Sequence, residues 1–187
     1  MIVVDVPIGL SDGPARACDT AARKVLGPRR SSVFGPPMRA MLGMRDRSEA
    51  SAYGQSVRRG GGLSAQAWNI TGKIKEVDEA ITPAMQARVR EGHPEVAFAR
   101  LGDGPMAHPK KRAEGRAERR AVLAAHGLAV NAVLTAILAL RPRPAAEDDV
   151  LDAAVLALTA RDAALGRPLT ELGGDPDARG LRMEILG

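Results

Sequence analysis

MIVVDVPIGL, residues Met1 to Leu10, opens on the apolar run Ile2, Val3, Val4 and stops it with Pro7 and Gly9. A short apolar run bounded by turn residues reads as a buried strand entering a loop. Asp5 then stands at the strand's carboxyl end, where open α/β sheets gather their ligands. The segment lacks a basic leader and carries Asp5 and Pro7, so it does not read as a signal peptide.

Outward from this strand the pattern turns helical. Residues Pro14 to Leu26 predict a helix stopped by Gly27 and Pro28, followed by the donor-rich loop RRSSVFGPP. A second helix is expected from about Ser48 to Arg58. After the glycine run Gly60 to Gly62, the apolar positions Leu63, Ala67, Ile70, Ile74, Val77 and Ile81 alternate in steps of four and three. That spacing predicts one long amphipathic helix with Gly72 as its weak point. Thr82 and Pro83 have the order of an N-cap and first helical residue.

EGHPEVAFARL is then expected as a second strand, with Glu91, His93 and Glu95 on one face and Val96 and Phe98 on the other. Pro94 would place it at an edge, a bulge or a strand start. Past the loop GDGPMAHPKKRAEG, a charged helix is expected from about Arg116 to Ala125, then an apolar segment to Leu140. A last helix from about Glu147 to Leu165 presents Leu151, Val155, Leu158 and Leu165 as its buried stripe, and LRMEIL has the composition of a final strand.

The 187 residues are 45% hydrophobic and 26% charged, enough for a single domain over 1–187 with one core. Phe34, Tyr53, Trp68 and Phe98 are the whole aromatic complement, so base stacking on aromatics is not the expected binding mode. The single cysteine, Cys18, excludes an internal disulfide and a cysteine metal cluster, which points to the cytoplasm and to Cys18 as core. Leu128 to Leu140 is too short to span a bilayer. A net charge of +5 suits a polyanionic partner, although on charge alone an Arg-rich solvated surface is the preferred reading.

The residues able to carry chemistry are acidic and come from separate elements: Asp5, Glu95, and the DDVLD run with Asp148, Asp149 and Asp152. Converging carboxylates can hold Mg²⁺ or Mn²⁺, which take oxygen ligands and retain water. Asp149 and Asp152, three apart on a helix, share a face, with Asp148 directed elsewhere. Taken alone, DDVLD reads as helix capping, because acids favour a first turn without any catalysis. His93 is a candidate for phosphate binding or proton transfer, against a plain hydrogen-bonded histidine. Arg29, Arg30 and Lys73, with Ser31, Ser32, Lys110 and Lys111, are candidate phosphate contacts, each singly more in keeping with solvated surface.

Read in order, DVPIGL, ACD at Ala17 to Asp19, GPRRSSVF, LSAQAWNITGKIKEVD, EGHPEVAF, KKRAEGRAER and DDVLDA resemble the domain-of-unknown-function 429 family, over Asp5 to Arg182. The resemblance implies an α/β, RNase H-like mixed sheet flanked by helices, with an acidic cluster binding divalent metal. By that resemblance Asp5 matches the acid of D-x-P-I-G-L, Glu95 that of H-P-E, and Asp149 and Asp152 the D-x-x-D-A helix motif. The implied activity is metal-dependent phosphodiester hydrolysis, with Asp5, Glu95, Asp149 and Asp152 on Mg²⁺ or Mn²⁺ and His93 at the phosphate. Arg29, Arg30 and Lys73 would contact a nucleic-acid substrate.

Family members also resemble one another in an earlier strand with an Asp-Gly motif, several dozen residues before D-x-P-I-G-L. Nothing precedes Met1 here, so an N-terminally truncated domain is expected, with the Asp5 strand open along one edge and available to pair with a second copy. The alternative expectation is a noncatalytic remnant of the fold that binds nucleic acid or protein.

Overall fold

The computed structural model describes residues 1–13, 15–57, 62–142 and 145–187. It is mixed α/β, with small sheets flanked by helices. Strand β1 (Ile2–Val4) pairs in parallel with β2 (Val89–Glu91), Ile2 opposite Val89 and Val4 opposite Glu91. Strands β3 (Glu171–Pro176) and β4 (Arg182–Leu186) form an antiparallel hairpin with an irregularity between Gly173 and Asp175. A parallel bridge from Gly92 to Leu186 joins the two pairs. Among the described residues β1 has no strand partner along its other edge.

The helices are α1 (Ala17–Leu26), α2 (Arg47–Val57), α3 (Ala65–Asn69), α4 (Thr71–Ala80), α5 (Pro94–Leu101), α6 (Ala113–Ala125), α7 (Asn131–Ala139) and α8 (Glu147–Ala164). Three depart from the sequence expectation. EGHPEVAFARL is a strand only as far as Glu91: His93 is extended, and Pro94 opens α5 as its first residue. Proline there gives up an N–H that no helix uses and presets φ, while the residue before it is driven out of the helical region. Pro94 to Ala99 are all buried, so α5 has no polar face whose period could have distinguished it from a buried strand. Glu95 is therefore a first-turn helix residue, and it does not share a strand face with Glu91 and His93.

The expected long helix over 63–81 is two. Ile70 leaves helical geometry at φ −105° and ψ 3°, while the Thr71 hydroxyl donates back to the Ala67 carbonyl at 3.0 Å. The apolar face survives the break, with Leu63, Ala67, Ile74 and Ile81 buried. On α8 the stripe Leu151, Val155, Leu158 packs in the core, but Leu165 caps the helix and is 60% exposed. β3 was not anticipated; its two glycines and proline hide the strand signal. Part of the glycine break (Gly60 and Gly61), the helix ends expected at Pro14 and Arg58, and Arg143 and Pro144 in the turn before α8 lie outside the described residues.

The main core brings Phe98 of α5, Leu123 of α6, Leu134 of α7 and Leu151 and Val155 of α8 together. A second cluster packs Cys18, Ala22 and Leu26 of α1 against Val96 and Ile185. Cys18 is wholly buried, and that burial pushes its thiol up to about 12, in keeping with a core role. No helix is long and apolar enough to cross a membrane among the described residues.

Candidate functional site

The loop after β1 is held by buried ionic groups. Glu91 accepts from the Ile8 N–H at 2.7 Å and takes both terminal nitrogens of Arg16, at 2.7 and 2.8 Å. Arg16 also binds Asp19 and donates to the Ile8 and Gly9 carbonyls. Asp177 accepts from Leu10 N–H at 2.9 Å and from Leu181 N–H at 3.0 Å. Gly9, at φ +76°, passes so close to Leu181 and Met183 that a Cβ would not fit. The D-x-P-I-G-L segment is thus clamped at its far end, which fixes where Asp5 emerges.

Asp5, Glu95 and Asp152 come into one electrostatic neighbourhood from β1, α5 and α8. The Asp5 carboxyl is pushed up to about 6, first by lost solvent around it, then by the Asp152 and Asp149 charges, with Lys110 opposing. The residue as a whole remains exposed, so its desolvation is partial. Glu95 (4% exposed) receives Arg119 Nη2 on Oε1 at 2.5 Å. Asp152 (6% exposed) receives Lys110 Nζ on Oδ2. Burial raises the Asp152 pKa, and Glu95 adds to that effect, while Lys110 and Arg119 act the other way. The second oxygens, Glu95 Oε2 and Asp152 Oδ1, are buried and have no hydrogen-bond partner. An orphaned buried carboxylate oxygen is costly and calls for an explanation.

Asp149 spends Oδ2 on the Ala146 N–H at 2.9 Å, so its capping role is real, and the residue is exposed. Asp148 is buried and ion-paired with Lys111 at 2.6 Å. Burial would raise its pKa, but Lys111 holds it below the ordinary range. His93 lies beside the loop that carries Arg29 and Arg30, with Nε2 3.4 Å from the Ser32 carbonyl and Nδ1 buried without a partner. Burial lowers its pKa, favouring the neutral ring. Arg29 and Arg30 sit on the 3₁₀ turn Gly27–Ser32. Lys73 is exposed on α4, which packs on the 3₁₀ turn Arg39–Gly43 and on α3.

The cations were the part least legible from sequence. Arg119 is fully buried, donates to the His108 and Gly115 carbonyls at 3.1 and 2.8 Å, and lies 5.4 Å over the Phe98 ring. Gly115 lets α6 start against the loop carrying Lys110, since a Cβ there would meet the Pro109 carbonyl oxygen at 2.1 Å. Within KKRAEGRAER these residues had no spacing that separates a buried arginine from solvated ones.

No three His, Cys, Asp or Glu side chains stand close enough to hold a metal ion by themselves among the described residues. What the cluster offers is two free carboxylate oxygens with Asp5 and Asp149 nearby. That donor set suits Mg²⁺ or Mn²⁺, which are commonly held by one or two carboxylates with substrate phosphates and water completing the shell.

An α/β chain with carboxylates gathered at the end of β1 and the starts of α5 and α8 is the class defined by this geometry. The chain belongs to the family described as Protein of unknown function (DUF429), whose family model matches residues 1–177. Neither a curated protein nor a solved structure matches it.

Proposed function

We propose that the chain is a divalent-metal-dependent phosphodiester hydrolase on an RNase H-like fold, acting on nucleic acid. The observation that carries this reading is the pair of buried, unpartnered oxygens, Glu95 Oε2 and Asp152 Oδ1. Bound Mg²⁺ or Mn²⁺ would supply a water of lowered pKa and charge stabilisation at the leaving oxygen. Glu95 and Asp152 would hold it, with Asp5 and Asp149 alongside.

The chain's own groups have separate tasks. Arg119 fixes the orientation of Glu95, and Lys110 neutralises Asp152 until a phosphate oxygen offers the ammonium an alternative acceptor. His93, neutral by burial, has its Nδ1 free to take a hydrogen bond from substrate or water. Asp5, titrating near 6, can hold or release a proton close to neutral pH. Arg29 and Arg30, on the turn touching His93, would meet backbone phosphates, with Lys73 as a further phosphate contact.

Titrating Mn²⁺ into the protein by calorimetry tests the reading. Saturable binding lost in the Asp149→Asn, Asp152→Asn double variant, with the fold kept, is the expected result. A folded protein that binds no Mn²⁺, with or without a short oligonucleotide, sinks it. One observation favours a noncatalytic nucleic-acid- or protein-binding reading: Lys110 already pairs with Asp152. That reading expects salt-sensitive binding indifferent to metal and to loss of the acids.

A further inference from the structure

At the other end of α8, three arginines converge on one acid. Asp162 is buried and accepts Arg161 Nε and Nη2 on Oδ1 at 3.1 and 2.9 Å, Arg167 Nη1 on the same oxygen at 3.3 Å, and Arg100 Nη2 on Oδ2 at 3.2 Å. Burial would raise the Asp162 pKa, but Arg161 and Arg100 hold it below the ordinary carboxylate range. Three guanidiniums against one carboxylate leave an excess of two positive charges.

The local fold builds this grouping. The Gly166 N–H bonds the Ala163 carbonyl at 3.2 Å, and the Arg167 N–H bonds that of Asp162 at 2.9 Å, with Gly166 at φ +65°. This Schellman ending folds the chain back so that Arg167 lies over the last turn of α8. Arg100 reaches in from α5, where Nη1 also touches the Pro168 carbonyl at 3.4 Å. Arg161 Nη1 donates to the His126 carbonyl at 3.3 Å.

Beside them lies an open cleft of about 470 Å³, walled by Leu101, His126, Leu169 and Thr170, in which Asp162 is the sole acid among the described residues. The arginines are not fully used. Arg100 Nε is buried and has no hydrogen-bond partner, and the Arg167 side chain is 55% exposed. Guanidinium forks match the oxygens of a phosphate group, and a cleft with an excess of positive charge raises the local concentration of anions.

We infer that the Arg100–Arg161–Arg167 cleft is a phosphate-binding site, separate from the acidic cluster and working without metal. Ten residues of α8 part Asp162 from Asp152, about 15 Å at 1.5 Å per residue. The phosphate is either that of a free small molecule or that of a nucleic-acid backbone.

The test titrates inorganic phosphate, and separately a 12-nucleotide single-stranded DNA, into the full chain in EDTA. Readouts are calorimetry and the arginine Nε–H NMR signals. The Arg161→Ala, Arg167→Ala double variant leaves Arg100 paired with Asp162, so the buried carboxylate keeps a partner; Arg167→Ala alone changes a mostly exposed side chain and guards against misfolding. Expected is saturable binding of at least one probe, weakened tenfold or more in the double variant and severalfold in the single one. Asp149→Asn with Asp152→Asn should leave it unchanged, which separates this site from the metal-dependent reading. Binding of phosphate assigns a small-molecule source, and binding of the oligonucleotide alone assigns a backbone. No binding of either probe, or equal binding by the variants, overturns the proposal.

Discussion

Lys110 closes on one oxygen of Asp152 and leaves the other, Oδ1, buried without a partner. The same ammonium lowers the pKa of Asp5, whose carboxyl is raised by Asp152 and Asp149. A lysine on a loop thus balances acids delivered by a strand end and a helix start.

Replacing Lys110 by Met keeps the stem and removes the charge. The Asp5 midpoint, followed by carboxyl NMR, should then move above 6, because the ammonium that opposes its rise is gone. Removing one partner of a fully buried pair costs about 3–5 kcal/mol; with Lys110 about a third exposed, a loss of roughly 1–2 kcal/mol in urea unfolding is expected. An unmoved Asp5 midpoint would show that Lys110 does not face this cluster in solution.

Arg119 and Glu95 are both buried and joined at 2.5 Å. Arg119→Ala strands Glu95 in the core and also frees the His108 and Gly115 carbonyls, so a loss of about 3–5 kcal/mol is expected. Glu95→Gln should cost less, since an amide carbonyl still accepts from the guanidinium. In a double-mutant cycle by urea unfolding the two changes should be non-additive by more than about 1 kcal/mol. Strict additivity would mean that the pair does not interact.

Much of this arrangement could be read before the structure was known. The position of β1, the caps at Thr82 and Pro83, the span of α8 and the nature of Cys18 all follow from local pattern, because apolar runs and turn residues act over a few positions; β1 is not the buried strand expected, since Ile2 is 57% exposed and Val3 and Val4 are half-buried. Glu95 was placed on the wrong element because α5 is buried all round and lacks a period. Helical spacing puts Asp148 off the face of Asp149 and Asp152 but does not reveal its partner; Lys111, the cation that pairs with it, is 37 residues earlier in the chain. Arg119 and the Arg100–Arg161–Arg167 grouping were invisible for the same reason. Buried ion pairs are made by tertiary packing, and the sequence of an arginine-rich chain does not mark which arginines are buried.

The Asp5 carboxyl gives a pH dependence whose sign can be worked out. Unfolded, it titrates near 3.8; folded, near 6. Between those values the folded state binds more protons than the unfolded one, so this group makes stability fall as pH rises from about 4 to 6. Above about 6 the charge is present in both states and the penalty is complete; below about 3.8 both states are protonated and it vanishes. Asp5→Asn should therefore raise the melting temperature at pH 7 and leave it nearly unchanged at pH 3.5, provided that the protein is folded there. The size of the gain is limited by the exposure of Asp5. Thermal melts of the two proteins from pH 3.5 to 7 measure it: a gain that grows with pH supports the crowding of Asp5 with Asp152, and a variant less stable at pH 7 would mean that the ionised carboxylate is a favourable partner in the fold.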